Sequence, residues 1–368
     1  MSVILFFVVL VVLIVVHELG HFLAAKLAGI RVDEFGLGFP PKLFGRRLGE
    51  TEYSINALPF GGFVKIFGEN LNDESQNGPD RARSFVHKQK WVQAAVLVAG
   101  VFCNLLLAWG LFTLGFMLGM PTSVEEAKGR VLTDVRLVAT SILPDSPAAS
   151  AGIKIGDRLR SLSESGEVIE LKSPEDVSAF ISSHGEKLVA IQIERGGKLE
   201  TLMVEPKAGV IQSAPETPAI GIAMGVVGDL RLPLTAAFIE GAKFTWHLLI
   251  STVVGLYHLI VQVFTGAGDF SQVTGPVGLV GLVGDATALG FVYLLTFVGI
   301  ISVNLAVINL LPFPALDGGR LLFVVIEKLK GSPLRPSFAN TLNAIGFALL
   351  ILLMLAVTYK DVAKLVAS

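Results

Sequence analysis

The sequence predicts a polytopic α-helical membrane protein that carries one polar α+β domain. Of its 368 residues, 52% are hydrophobic and only 16% are charged, and the mean hydropathy is +0.67. Soluble domains have about 45–50% apolar and about 25% charged residues, so this composition is typical of the membrane class. The formal net charge of −2 does not indicate the basic surface that nucleic-acid-binding proteins carry. A single cysteine, Cys103, excludes an intramolecular disulfide and a cysteine-based zinc site.

Transmembrane helices are predicted where about 20 consecutive residues are predominantly apolar. The first such segment could be taken for a signal peptide. It lacks a positively charged start and a small-x-small cleavage site, and it carries a His-Glu-x-x-His pattern inside its apolar run, so we expect a retained helix. Four segments qualify: Val3–Ala25, Trp91–Gly119, Gly290–Leu311, and Ile345–Val357 with its flanks. They predict transmembrane helices over residues 1–28, 91–120, 289–311 and 337–359.

Basic residues near the ends of these segments predict the orientation of the chain, because cytoplasmic loops carry an excess of lysine and arginine. No basic residue precedes the first span. The N-terminus and the stretch from residue 120 to residue 288 are therefore expected outside the cytoplasm. The ends expected inside carry Lys26 and Arg31 after the first span, Arg83, Lys88 and Lys90 before the second, and Arg320, Lys328, Lys330 and Arg335 after the third.

A fifth apolar segment, Ala236–Phe264, has its polar residues on one face of a helix, since they recur at spacings of three, four and seven. We expect an amphipathic helix over 236–264 that lies on the membrane surface, within an extracytoplasmic connector at 207–288. A fifth crossing would also place the loop after Leu311 on the outer side, far from the motif in the first span. The polar positions are Glu240, Lys243, His247, Ser251, His258 and Gln262.

Residues 133–206 form the polar part of the chain. Short alternating runs at Val189–Glu194 and Leu199–Val204 indicate strands, and Ser173 indicates the start of a helix. The stretches Asp145–Gly152 and Ile155–Leu159 resemble a bacterial PDZ domain. Such α+β domains can bind an extended peptide along an exposed sheet edge. A spacer domain that only limits access to the membrane part is an equally open alternative.

Residues 29–90 are expected to form a cytoplasmic-side β-region followed by a loop. Arg31–Phe39 and Glu52–Phe67 mix glycine, proline and alternating apolar residues, which indicates hairpin strands. Apolar strands on this side of a membrane protein can dip into the bilayer where protein or a wet cavity covers their backbone. We therefore expect a membrane re-entrant β-region.

His17, Glu18 and His21 carry the strongest functional signal, a His-Glu-x-x-His pattern inside the first predicted span. Two histidines at i and i+4 can bind one metal ion, and the glutamate beside them can act as a general base for water. Each ionisable residue in lipid costs on the order of 2.5–3.5 kcal/mol, so a functional role is favoured over a polar packing cluster. The apolar run Val3–Val16 before His17 would span roughly 21 Å, which places the site in the cytoplasmic third of the bilayer.

A third ligand must come from another part of the chain, because zinc sites of this kind combine two imidazoles with a carboxylate. Asp33 and Glu34 are near in sequence but lie in the loop after the first span. Asp317 is the better candidate, because two prolines end the third span just before it and two glycines after it allow close backbone approach. Its alternative role is a cap or turn residue within a cytoplasmic loop at 312–336.

These features together resemble the site-2 protease family of intramembrane zinc metalloproteases, in its bacterial RseP-like type with a single PDZ-like domain. The resemblance rests on His17–His21, on Asn309–Gly318 in the third span, and on the PDZ-like insert. Gly100–Asn104 is similar to a Gly-Pro-x-x-Asn element of the family, and Gly275–Gly278 to a segment before its third span. The resemblance implies four transmembrane helices, a membrane re-entrant β-region and one extracytoplasmic PDZ-like α+β domain.

The resemblance also implies roles for individual residues. His17, His21 and Asp317 would bind one zinc ion. Glu18 would be the general base and then the proton donor to the leaving amine. Asn309 would contact the substrate backbone or the developing oxyanion, with interhelical hydrogen bonding as the alternative.

The activity implied by the resemblance is regulated intramembrane proteolysis in the bacterial cytoplasmic membrane, with the active site near the cytoplasmic side. The expected substrates are single-span membrane proteins in the lipid bilayer, such as anti-sigma factors or signal-peptide remnants, already cut by a site-1-type protease. Two other classes stay open. A metal-carrying transporter is disfavoured by the small number of spans and the absence of an inverted repeat. A catalytically inactive scaffold is disfavoured by the intact base and ligands.

Overall fold

A computed structural model describes residues 2–69, 78–211, 214–265, 274–332 and 334–367. In chain order its elements are α1 (Ser2–Leu27), β1 (Val32–Leu48), β2 (Thr51–Ile66), α2 (Lys90–Leu118), β3 (Met120–Ser123), α3 (Val124–Ala127), β4 (Thr133–Ile142), α4 (Pro147–Ser150), β5 (Arg158–Glu164), β6 (Glu167–Glu170), α5 (Pro174–His184), β7 (Val189–Arg195), β8 (Lys198–Val204), β9 (Ile222–Leu230), α6 (Leu234–Phe264), α7 (Pro276–Leu289), α8 (Phe291–Asn309), α9 (Asp317–Lys330) and α10 (Pro336–Ala367). Five of these helices, α1, α2, α6, α8 and α10, are long and apolar enough to cross a membrane.

The chain divides into two compact units. The helical unit consists of Met1–Thr113, Phe238–Gly284 and Thr296–Ser368, and the sheet unit consists of Leu114–Ala237 and Asp285–Leu295.

In the helical unit, α1 and α2 cross with their backbones in contact. A Cβ atom on Gly20 would lie 2.3 Å from the carbonyl oxygen of Ala99, so only glycine permits this approach. Beside the crossing, the buried side chains of Ala25, Val96 and Val324 belong to one apolar cluster. That cluster joins α9 to the ends of α1 and α2, and burial of its apolar surface is what holds these elements together.

The strands β1 and β2 form an antiparallel hairpin that doubles back on itself. Residues 32–37 pair with residues 62–66 on one side, residues 34–37 pair with residues 52–55 on the other, and residues 42–48 pair with residues 51–56. Among the described residues, segment 62–66 has ladder partners on one side only, so it is an edge of this small sheet. An edge segment offers unpaired backbone groups to an added strand.

The contacts of α6 do not favour the predicted surface position of the helix at 236–264. The indole Nε1 of Trp109 in α2 donates to the carbonyl oxygen of Phe238 at 2.8 Å, and Oγ1 of Thr252 donates to Oδ1 of Asn304 in α8 at 3.1 Å. The helix therefore runs alongside two spans over several turns. Where the sequence predicts four membrane helices, the described residues contain five candidates, and a short apolar helix, α7, lies between α6 and α8.

Cysteine scanning can test the path of α6, because Cys103 is the only cysteine in the sequence. On a Cys103→Ser background in sealed vesicles, we expect a cysteine at Leu234 to react with a membrane-impermeant maleimide. A cysteine at Ser251 should be protected by lipid until detergent is added, although both positions are exposed on the protein. Equal labelling of the two positions would instead support a surface helix, since Ser251 lies on the polar face.

The sheet unit is built on a seven-stranded sheet of order β3-β9-β4-β5-β7-β8, with β6 paired to β5. The helix α5 begins with a capping box in which Ser173 and Asp176 each bond the other's backbone. Its Phe180 packs into the core against Leu162 and Ile191 of the sheet. Strands and helix thus lie where the alternating runs and the Ser-Pro signal place them, while the PDZ-like assignment stays a prediction.

The helix α9 corrects the prediction of a loop over 312–336. It begins at Asp317 and ends at Lys330, and Gly331 follows with a φ of 76°, the left-handed conformation that favours glycine at a helix end. An acidic residue in its first turn and Lys328 and Lys330 in its last turn both complement the helix dipole. Asp317 therefore belongs to the first turn of a helix, which fixes its backbone more firmly than a loop would.

Candidate active site

The two histidines of α1 lie one turn apart and face the same side of the helix. Their Nε2 atoms are 3.2 Å apart, and Oδ2 of Asp317 lies 3.0 Å from that of His17 and 3.1 Å from that of His21. The three ligand atoms all lie within 4.8 Å of one another, and both imidazoles are buried. Two imidazole nitrogens and one carboxylate oxygen are a donor set that suits zinc, with a fourth position left for water or substrate.

A tight backbone turn between α8 and α9 places Asp317 beside the histidines. A Cβ atom on Gly318 would lie 2.2 Å from the carbonyl oxygen of Leu310, and one on Gly319 would lie 2.2 Å from that of Phe313. No other residue type permits these approaches without moving backbone. The two glycines therefore let the chain fold back on the end of α8, so that the first turn of α9 faces α1.

Gly100 of α2 leaves room for the imidazole rings. A Cβ atom on this residue would lie 2.4 Å from Nε2 of His21 and 2.9 Å from Cε1 of His17. One turn away, the carbonyl oxygen of Val96 lies 2.8 Å from Nδ1 of His21 and accepts its hydrogen bond. A histidine that donates through one nitrogen presents the other as a metal ligand, so this bond orients His21 for metal binding.

Glu18, next to His17 in α1, lines a cavity of about 290 Å³. His21 and Asp317 line the same cavity, and so does the edge segment 62–66 of the hairpin. The cavity therefore brings a carboxylate, the candidate metal ligands and an open strand edge into one space.

A second cavity, of about 230 Å³, borders the same cluster. It is lined by His17, Glu18, Asn309 and Asp317. The amide Nδ2 of Asn309 lies 3.4 Å from Nε2 of His17. The structure thus gathers the candidate residues that the sequence predicts in one region of the helical unit, namely His17, Glu18, His21, Asn309 and Asp317.

Asp33 and Glu34, the alternative third ligands, are engaged elsewhere. Oδ1 of Asp33 accepts a hydrogen bond from Nε of Arg31 at 2.8 Å, and Oε1 of Glu34 accepts one from Oγ of Ser54 at 2.5 Å. Neither belongs to the cluster of possible metal ligands found among the described residues.

The structure adds an ion pair that sequence reasoning missed. Arg320, one turn after Asp317 in α9, donates to the carboxylate of Glu69, which follows β2. Both side chains line the 290 Å³ cavity, and burial raises the pKa of the Glu69 carboxyl above its ordinary value even beside the guanidinium. In the sequence, Arg320 is visible only as one of several basic residues after a span, and Glu69 carries no signal.

The chain is similar to known zinc metalloproteases over nearly its whole length. The sequence pattern of peptidase family M50 matches residues 5–353. The chain is 35% identical to a putative zinc metalloprotease of Clostridium perfringens, over 95% of each chain. It is 31% identical to the zinc metalloprotease RasP of Geobacillus kaustophilus, over 99% of this chain and 98% of the relative. A putative zinc metalloprotease of a Nostoc species is 33% identical over 99% of this chain and 97% of its own.

Proposed function

Because this chain belongs to peptidase family M50 and is a zinc metalloprotease of the site-2 type, we propose that it cleaves single-span membrane proteins in or beside their transmembrane segments. The predicted family, enzyme class and zinc cofactor are confirmed by these relationships. The observation that carries the proposal is the convergence of His17, His21 and Asp317 among helices apolar enough to cross a membrane.

His17, His21 and Asp317 are the proposed zinc ligands, one nitrogen or oxygen atom from each. A zinc ion held in this way supplies Lewis-acid chemistry, which activates water and polarises a peptide carbonyl. The ligands come from two helices, α1 and α9, so the site depends on the turn that brings α9 back to α1.

Glu18 is the proposed general base and acid. Its side chain lines both cavities beside the ligand cluster, so it can reach a water molecule and a peptide nitrogen in either of them. It takes a proton from the attacking water and returns it to the amine of the leaving peptide. Asn309 faces the second cavity, where its amide can donate to the substrate backbone or to the oxyanion as negative charge develops.

The edge segment 62–66 is the proposed docking strand for the substrate. Its outer edge has no ladder partner among the described residues, and it borders the cavity that contains Glu18. A transmembrane helix must unwind locally to expose a peptide bond, and its freed backbone groups then need partners that lipid does not provide. Addition of the unwound segment to this edge supplies them.

The wider setting follows from this assignment. We place the protein in the bacterial cytoplasmic membrane, with its N-terminus and sheet unit outside and its active site near the cytoplasmic side. Single-span substrates such as anti-sigma factors or signal-peptide remnants would arrive after an upstream site-1-type protease has shortened them. The sheet unit, as a PDZ-like domain, would either bind the new peptide end or exclude substrates that are still full length.

Reconstitution with a tagged single-span protein in lipid vesicles tests the proposed function. We expect mass spectrometry to locate a cut within or beside the span, and we expect a chelator to stop cleavage and added zinc to restore it. His17→Ala and Asp317→Ala should lose both zinc and cleavage, whereas Asp33→Ala, a matched change outside the cluster, should keep both. Metal flux without cleavage would support a transporter, and stable zinc binding without cleavage of any substrate would support an inactive scaffold.

A further inference from the structure

His17 lacks the fixed hydrogen-bond acceptor that orients His21. A neutral imidazole that binds a metal through Nε2 carries its proton on Nδ1, and the group facing Nδ1 must then accept a hydrogen bond. For His21 this group is the carbonyl oxygen of Val96, which can only accept. For His17 the facing group among the described residues is the side chain of Asn104, whose Nδ2 lies 3.1 Å from Nδ1.

Asn104 is held firmly at this position. It lies in α2 one turn after Gly100, and it is fully buried at 0% exposure. Its backbone oxygen accepts a hydrogen bond from Oγ of Ser302 in α8 at 2.8 Å. The residue is therefore packed between α1 and α8, and this packing keeps its carboxamide facing His17.

The carboxamide can present either end to the histidine. Its oxygen and nitrogen are nearly equal in size, so rotation by 180° exchanges donor and acceptor at one place. The side-chain oxygen, Oδ1, is buried without a hydrogen-bond partner among the described residues, so the rotation breaks no bond at that end. After it, Oδ1 faces Nδ1 of His17 and accepts the proton that a metal-binding histidine must carry there.

We propose that Asn104 is a positioning residue that fixes the proton of His17 on Nδ1 and thereby frees Nε2 to bind zinc. This inference rests on the proposed ligand role of His17. It gives a role to Asn104, the last residue of the segment Gly100–Asn104, for which sequence similarity alone indicates none. Asn104 acts through His17 and does not touch the substrate.

Two substitutions that keep the branched shape of the side chain separate this role from simple packing. Asn104→Asp keeps an acceptor facing His17, and Asn104→Leu keeps the branching at Cγ but removes the acceptor. Loss of an outer partner of a metal ligand typically lowers metal affinity about 10-fold to 100-fold. In chelator competition on the solubilised full chain, we expect that loss for Asn104→Leu and affinity within a few-fold of wild type for Asn104→Asp.

Ser302→Ala is the matched control, because it removes the other polar contact of Asn104 without touching the histidine; it should leave zinc affinity unchanged. If the leucine variant does not accumulate, Asn104→Ala removes the same acceptor without added bulk. Equal affinities of the aspartate and leucine variants, high or low, would overturn the proposal. If His17→Ala retains wild-type zinc affinity, the proposed ligand set itself is wrong, which is a separate failure.

Discussion

Glu18→Gln should abolish proteolysis while the protein keeps its zinc. Glutamine has the same size and shape as glutamate but cannot accept a proton at neutral pH. General acid–base catalysis contributes about 100-fold to 10,000-fold to a rate, so we expect cleavage of a tagged single-span substrate to fall by at least about 100-fold. Metal analysis of the purified variant should show the wild-type zinc content, because Glu18 is not one of the three converging ligands.

A second glutamate provides the control for this substitution. Glu34→Gln makes the same chemical change in β1, where the carboxylate accepts a hydrogen bond from Ser54, and it should leave the cleavage rate within a few-fold of wild type. Loss of zinc from Glu18→Gln would point to a structural role for the glutamate. Wild-type cleavage by Glu18→Gln would contradict its role as base and direct attention to Glu69, the other glutamate lining the 290 Å³ cavity.

The sequence was sufficient to predict that His17, His21 and Asp317 come together, because each part of that signal is either local or a chemical requirement. The i and i+4 spacing of His17 and His21 follows from helix geometry alone. Asp317 was predicted because a zinc site with two imidazoles requires a further ligand, and Asp317 lies just after the prolines that end the third span, close to the depth of the histidines. In the structure its Oδ2 lies 3.0 Å from Nε2 of His17.

The features that were missed depend on contacts between distant parts of the chain. The polar face of α6 indicated a helix at a surface but gave no sign of the hydrogen bond from Thr252 to Asn304 of another helix, because spacing alone does not identify the neighbour of a polar residue. The stretch that became α9 follows two prolines and contains two adjacent glycines, which are loop signals. Those glycines allow the start of α9 to pack closely against backbone carbonyl groups of the preceding segment. The sequence does not show this role, because the position of those carbonyl groups depends on the fold.

Gly100→Ala should empty the metal site, although it adds only one methyl group. The new Cβ would lie 2.4 Å from Nε2 of His21, far inside contact distance. The ring has no free direction in which to move, because its Nδ1 is bonded to Val96 and its Nε2 lies 3.1 Å from Asp317. Either the imidazole turns away from the ligand position or α1 and α2 separate.

Separation of the helices is itself opposed, because it would open the close packing at Gly20 and expose the buried apolar cluster that contains Ala25 and Val96. We therefore expect Gly100→Ala to lower zinc affinity by roughly 100-fold or more and to abolish cleavage. Loss of a hydrogen-bond partner of a metal ligand typically lowers affinity by about 10-fold to 100-fold, and displacement of the ligand itself should have at least the larger effect. Gly110→Ala makes the same change in the same helix, where the added Cβ has no neighbour within 4 Å among the described residues, and alanine favours the helix. That variant should bind zinc and cleave as the wild type does. Normal zinc affinity in Gly100→Ala would mean that the imidazoles do not occupy the space above Gly100 when the enzyme works, and the ligand geometry derived from that contact would have to be abandoned.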